Sequence, residues 1–167
     1  MLAIVEDNLM AIGEFKRFNQ FKLDKGKEIH DLSSDTFKFA IIKSAANGGI
    51  DPTAATADPR WGAGGTTDLS ASEVTAGGNY TAGGITCTVT WTESSGTVKF
   101  TSSDGAPQLQ WLLHASNPTN ARWIICYNDT AAGKQAVGYI DLGSDRDMTV
   151  GDVEYTVDGT NGFFIET

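Results

Sequence analysis

The segments ARWIICYNDT (residues 121–130) and AVGYIDLGSD (residues 136–145) decide the fold of this chain. Each is an apolar run, rich in Ile, Tyr and Trp, that ends in small polar residues, as β-strands do. Residues 121–128 are apolar at both alternating sets of positions, which predicts a central strand buried on both faces. The turn NDTAAGK leads into residues 136–142, which we predict to be the antiparallel partner of that strand.

Alternation predicts further short strands on either side of this pair. The clearest is ITCTVTWT at residues 85–92, where apolar residues alternate with Thr; an SSG turn then leads to residues 97–101 and predicts a hairpin. Other predicted strands are residues 36–44, 108–113, 148–150, 154–157 and 162–166. Short strands at this spacing, separated by Gly and Asn, predict a mainly all-β fold, an antiparallel β-sandwich or barrel.

The N-terminal part of the chain is predicted to differ from this β body. Phe15, Phe18 and Phe21 recur every three residues among lysines, and Gly26 follows, which predicts one short N-terminal helix at residues 14–25. The residues before the helix are apolar but too short to form a unit of their own. We therefore predict an N-terminal arm at residues 1–13.

A long segment after the first strand shows neither the alternation of a strand nor the three-to-four-residue repeat of a helix. Residues 45–78 are rich in Gly, Ala, Thr and Asp and contain two prolines, so we predict a long loop. A loop of this length is unusual inside a compact domain and is commonly functional or disordered. The expected organisation is a single β domain, residues 14–167, preceded by the arm.

Length and charge restrict the class of protein. A chain of 167 residues fits one domain with a substantial core. The net charge of −9 argues against nucleic acid and against an anionic membrane as partners. The N-terminus lacks the basic region of a signal peptide, which predicts folding in a cytoplasm.

Cys87 and Cys126 fall within predicted strands, so we expect both thiols to be buried. A disulfide between them is the alternative if the two strands are neighbours.

Residues that could carry chemistry are few and scattered. His30 and His114 lie in polar sequence and are predicted to be solvated. Asp145, Asp147 and Asp152 could collect a calcium ion, or could simply belong to a solvated turn. No motif of a nucleophile elbow or of a phosphate-binding loop occurs, so the prediction is that the chain is not an enzyme and has no cofactor or metal. A hydrolase with an unrecognised pair among the 21 acidic residues stays open.

Several phrases, taken together and in order, resemble a known family. After the Phe- and Lys-rich helix come HDLSSDTFKFAII (residues 30–42), YTAGG (80–84), YNDT (127–130) and GYIDLG (138–143). In this order they resemble a family of small structural proteins of tailed-bacteriophage virions.

The resemblance implies a capsid cement or decoration protein on the capsid surface of the virion, assembled in the host bacterial cytoplasm. It also implies that the partners are further copies of the chain, as a homotrimer, and the phage major capsid protein. The alternative is a tail, neck or head-fibre component that binds a receptor or carbohydrate.

Apolar residues of the arm, the helix and the loop are the candidate partner contacts. They are Leu2, Ile4, Val5, Phe15, Phe18 and Trp61. The alternatives are that the phenylalanines pack on the sheet and that Trp61 anchors the loop to the body of the protein. For a carbohydrate ligand, Trp61 is the preferred stacking residue, because Trp91, Trp111 and Trp123 lie in strand patterns and are expected in the core.

Overall fold

The computed structural model describes residues 12–54 and 56–167. It is mainly β, with 39% of residues in strands, which confirms the all-β class. In the described residues the helix is α1 (Asn19–Gly26), and the strands are β1 (Lys16–Arg17), β2 (Phe37–Ile42), β3 (Pro59–Arg60), β4 (Thr67–Asp68), β5 (Ile85–Cys87), β6 (Val89–Ser94), β7 (Thr97–Ser102), β8 (Leu109–Trp111), β9 (Ala121–Asn128), β10 (Ala136–Arg146), β11 (Val153–Tyr155) and β12 (Phe164–Glu166).

A five-stranded sheet forms the centre of the fold, in the order β1-β10-β9-β2-β5 with antiparallel neighbours throughout. β9 lies between β10 and β2, and Ile124 pairs with Ile140 on one side and with Ile41 on the other. All three isoleucines are fully buried. The predicted central strand and its predicted partner are therefore confirmed.

The two faces of this sheet bury different side chains. We call the face that carries Phe39, Ile124 and Cys126 the front, and the face that carries Ala40 and Ile125 the back. A three-stranded sheet, β12-β7-β6, and the pair β11-β8 pack on the front. None of the sheets formed by residues 12–54 and 56–167 closes on itself.

Irregular chain covers the back. The predicted loop contains two 3₁₀ turns and the parallel pair β3–β4, and it contributes the buried residues Trp61 and Leu69. Trp61 donates its backbone N–H to the Lys134 carbonyl at 2.9 Å. The segment is thus a packed layer attached to the turn between β9 and β10.

The predicted helix at residues 14–25 is wrong at its N-terminal end, because α1 begins at Asn19. The residues before it are extended: β1 pairs with β10, and Phe18 donates its N–H to the Val137 carbonyl at 3.0 Å. Phe15 packs in the front cluster, whereas Phe18 packs in the back cluster. The three-residue spacing that resembled a helical edge instead brings these two rings to opposite faces of a sheet.

Two strand predictions also need correction. The predicted strand at 85–92 is interrupted at Thr88, whose N–H bonds the Asp104 carboxylate at 2.7 Å instead of a neighbouring strand. Residues 148–150 form a turn, in which Asp147 accepts the N–H of Thr149 at 2.9 Å. The predicted hairpin is confirmed as β6–β7, with Trp91 opposite Phe100.

Most of the predicted arm, residues 1–11, lies outside the described residues. Gly13, at its end, donates its N–H to the Asp141 carbonyl.

Candidate functional site

The described residues among the predicted partner contacts lie in the interior of the chain. Phe15, Phe18 and Trp61 are between 4% and 8% exposed. The Trp61 ring stacks on Tyr127, with centroids 4.9 Å apart and planes 7° from parallel. In this conformation the three side chains contact other residues of the same chain. The alternatives predicted this, since they placed the phenylalanines on the sheet and used Trp61 to anchor the loop. The remaining candidates, Leu2, Ile4 and Val5, lie outside the described residues.

The YTAGG phrase holds strands together through its tyrosine and its glycines. Tyr80 Oη accepts the N–H of Ile41 at 2.9 Å and donates to Glu73 at 2.8 Å, and Glu73 also accepts the N–H of Gly83. At Gly84 φ is +74°, and a side chain there would overlap the Phe39 carbonyl. The phrase therefore needs glycine for conformation and for room.

The YNDT phrase closes the same network from β9. Tyr127 Oη donates to the Gly83 carbonyl at 2.9 Å. Burial raises the pKa of Tyr80 and of Tyr127, so both hydroxyls stay protonated at neutral pH. Both tyrosines therefore serve as hydrogen-bonding groups of the scaffold.

His30 is buried, contrary to the prediction that it is solvated. It is 7% exposed and its ring lies 5.2 Å from that of Phe21. Asn128 accepts the N–H groups of Thr130 and Ala131 with its Oδ1, so its amide nitrogen, 3.2 Å from His30 Nδ1, must be the donor. Neutral His30 then carries its proton on Nε2, and it joins the HDLSS phrase to the YNDT turn.

Burial lowers the pKa of His30, while Asp24 and Asp35 act in the opposite direction. Protonation at Nδ1 would also set a second donor against the amide of Asn128. His30 is therefore held in its neutral form by the fold. His114, by contrast, is exposed, as predicted.

The three aspartates considered for calcium each accept hydrogen bonds from their own surroundings. Asp145 accepts from Ser44 at 3.1 Å and from Asn47 at 2.7 Å, and Asp152 accepts the N–H of Leu113 at 2.6 Å. Asp147 forms the turn described above. Within residues 12–54 and 56–167, no three His, Cys, Asp or Glu side chains come together as a possible metal site.

Both cysteines are buried and free, which confirms the prediction of buried thiols. Cys87 lies 3.2 Å from the Ser102 hydroxyl, and desolvation raises the pKa of its thiol to about 11. Desolvation also raises the pKa of Cys126 well above its usual range. Neither thiol is therefore ionised at neutral pH, and neither has the character of a nucleophile.

One aromatic side chain at the surface was missed from the sequence. Trp91 is partly buried, whereas Trp61, Trp111 and Trp123 are all buried. It lines an open depression of about 440 Å³. The other lining residues are Lys25, Glu28, His30, Asp31 and Leu32. Alternation placed Trp91 on the core face of a strand, but its strand lies at the edge of a three-stranded sheet.

A second depression, of about 680 Å³, combines exposed apolar side chains with carboxylates. Leu113 and Val150, which are 53% and 78% exposed, line it together with Ile12, the first described residue. Its acidic lining residues are Asp145, Asp147, Asp152 and Glu154, and its basic one is Arg146. We call this surface the acidic groove.

Comparisons with models of protein families, with curated proteins and with solved structures found no match to this chain. In the described part of the chain, no helix has the length and apolar character needed to cross a membrane. The function is therefore inferred from the phrases of the sequence and from the surfaces of the fold.

Proposed function

We propose that the chain is a structural protein of a tailed-bacteriophage virion, a cement or decoration protein that stabilises the head as a symmetric oligomer. The observation that carries the proposal is the ordered set of phrases HDLSSDTFKFAII, YTAGG, YNDT and GYIDLG. In the fold the first three of these phrases are joined by hydrogen bonds: Tyr80 bonds β2, Tyr127 bonds the YTAGG turn, and the YNDT turn bonds His30. GYIDLG lies in β10, which pairs with β9 beside the YNDT turn. They specify one scaffold, which supports their use as a signature of a family.

The packing of the scaffold suits a structural role. The central sheet has both faces covered, and the β12-β7-β6 sheet packs on its front, which supports a sandwich rather than a barrel. A body of this kind keeps its shape when many copies are placed on a lattice. We infer that the proposed partners are other copies of the chain, as a trimer, and the major capsid protein.

Attachment to the capsid is assigned to the apolar residues before the described body. Leu2, Ile4 and Val5 are the candidates, because the other predicted contacts, Phe15, Phe18 and Trp61, are buried within the chain. Several such segments on one oligomer would bind a shell with avidity, since each further contact becomes intramolecular once the first has formed.

Binding of the purified protein to expanded phage heads that lack it tests the proposal. The full chain should sediment with the heads and raise the temperature at which they break, whereas a variant that begins at Ile12 should stay in the supernatant. Equal melting temperatures for the two proteins would show that the variant is folded. No binding of the full chain to heads would contradict the cement function.

Electron cryomicroscopy of the complete particle separates the possible positions. Density for the chain at symmetric sites on the outer shell is expected. Density at the tail or neck would contradict the cement function and favour a fibre or attachment component. Absence of the chain from the particle would overturn the virion assignment.

The half-buried Trp91 favours a second candidate, a fibre or tail component that binds a carbohydrate receptor. Indole rings stack on sugars, and charged side chains beside Trp91 could bind hydroxyl groups. Trp91→Ala should abolish binding on a glycan array, while the control Thr92→Ala, at the exposed neighbouring position, should retain it. An array on which the unaltered protein binds no glycan would exclude this candidate.

A further inference from the structure

The exposed large apolar residues of the described chain lie in two surroundings of opposite charge. Leu112, Leu113 and Val150 lie at or beside the acidic groove. Leu23, which is 53% exposed, lies on α1 among the exposed lysines Lys22 and Lys27. We call these three residues of the helix region the basic patch.

One side chain of opposite charge lies beside the basic patch, and one lies in the acidic groove. Glu28 is exposed next to Lys27, and Arg146 lies in the acidic groove, where it donates to the Leu142 carbonyl at 2.9 Å. Lys25 is excluded from the basic patch because it forms an ion pair with Glu166. Asp145 is set aside for the same reason, because its carboxylate lies 4.0 Å from Arg122 Nε. The remaining charges are the two lysines of the basic patch and three carboxylates of the groove, Asp147, Asp152 and Glu154.

The basic patch and the acidic groove lie at opposite ends of β10. The chain enters α1 where Phe18 bonds Val137, near the first residue of that strand, whereas Leu142 and Arg146 line the groove near its last residue. β10 has 11 residues, so at about 3.3 Å per residue its two ends are roughly 33 Å apart. The patch and groove of one chain therefore cannot touch each other, but those of two chains can.

We propose that the acidic groove binds the basic patch of a second copy of this chain. Leu23 of one copy packs between Leu113 and Val150 of the next, and its flanking lysines face the carboxylates of the groove. Copies that each carry a net charge of −9 repel one another on average, which favours a contact between surfaces of locally opposite sign. Among the exposed apolar side chains of the described residues, Leu23 is the one set among lysines.

A contact between two different surfaces is heterologous, and its repetition closes into a ring when the rotation allows. The inference thus rests on the symmetric oligomer of the proposed function and names the surfaces that build it. It does not depend on attachment to a capsid. A ring that forms but does not bind heads would count against the cement function alone, and a monomer that binds heads would count against this inference alone.

Charge reversal tests the contact by sedimentation velocity on the full chain. Lys22→Glu with Lys27→Glu, and separately Val150→Lys with Glu154→Lys, should each convert the oligomer to monomer. All four substitutions in one chain should restore part of the oligomer, because the lysines introduced at 150 and 154 can pair with the glutamates introduced at 22 and 27, although the aspartates of the groove remain. The lysine stem at 150 also keeps apolar surface. The unaltered oligomer should also weaken between 0.05 M and 0.5 M salt, since ions screen exposed charges.

A matched control separates the proposed contact from a general effect of charge. Thr66→Lys, Ala132→Lys and Thr160→Lys together add the same three positive charges at exposed positions that line neither surface. This variant should remain an oligomer. An unaltered protein that is monomeric, or reversals that leave its mass unchanged, would overturn the proposal. Loss of the oligomer only on removal of residues 1–11 would overturn it too, and would assign the contact to that segment.

Discussion

The front and the back of the central sheet are buried by two different kinds of structure. On the front, the Phe37 ring contacts Phe100 of β7, with centroids 5.3 Å apart, and the Phe39 ring contacts Phe163, directly before β12, with centroids 5.0 Å apart. On the back, Trp61 and Leu69 come from a segment whose described residues form two-residue strands and 3₁₀ turns. One set of strands therefore specifies two apolar surfaces, and regular pairing is needed to cover only one of them.

The two layers differ in the contacts that attach them to the central sheet. The front layer is tied by strand ladders and by many ring contacts, so the loss of one ring affects a connected cluster. The back layer is attached at separate points, among them the Trp61–Tyr127 stack and the bond from Trp61 to Lys134. We expect the front to unfold with the whole protein and the back to open locally.

The largest effect is expected from Phe100→Ala on the front. Phe100 is fully buried and contacts four other aromatic rings, so its removal should leave a cavity and lower the free energy of unfolding by about 4 kcal/mol. Urea denaturation followed by circular dichroism measures this loss. A loss of less than about 1 kcal/mol would contradict the description of the front as the main core.

Trp61→Ala should be somewhat less costly, at about 3 kcal/mol, because Trp61 lies at the margin of the back cluster and is 7% exposed. Amide hydrogen exchange should increase across residues 45–78, while β9 and β10 keep their protection. Trp61→Phe, which can still stack on Tyr127, is the matched control and should lose less. Equal loss of protection in β9 and in the 45–78 segment would remove the distinction between the two layers.

Gly138→Ala tests how closely the front is packed. A Cβ at this position would overlap the Phe15 ring and the Lys16 carbonyl, and we expect a loss of about 2 kcal/mol from overpacking. Gly151→Ala is the control, since a Cβ there meets nothing within 4 Å. Thermal unfolding of both variants measures the difference. Equal melting temperatures would show that the front accommodates an added methyl group and would contradict the prediction.

The smallest effect is a dependence on pH from His30, which packs beside Phe21 and Phe37. Its folded pKa is lowered from the ordinary value of 6.5, so the unfolded chain takes up a proton first as the pH falls. Above pH 6.5 the free energy of unfolding therefore does not depend on the protonation of His30. Below pH 6.5 it declines by at most about 1.4 kcal/mol per pH unit, because the unfolded chain binds the proton more tightly. Denaturation between pH 5 and 8 should show a steeper acid decline for the unaltered protein than for His30→Gln; parallel curves would contradict the assignment.

Prediction from the sequence succeeded where a strand is long and its neighbours are close in the chain. The β9–β10 pair and the β6–β7 hairpin follow from alternation and turn residues alone. It failed at residues 14–18, because a spacing of three matches a helix until β10 offers backbone partners. It also placed Trp91 in the core, since alternation shows which face a side chain takes but not whether the strand lies at an edge.

The sequence by itself determined the β class, the central strand, its partner and the burial of both cysteines, because these depend on local alternation and on turn chemistry. Only the tertiary structure decided that Phe15 and Phe18 lie on opposite faces, that His30 is buried and neutral, and that apolar side chains lie exposed among lysines at one end of β10 and among carboxylates at the other. Those outcomes depend on which distant segments meet, and the free energy of such contacts is not a property of any one stretch of chain.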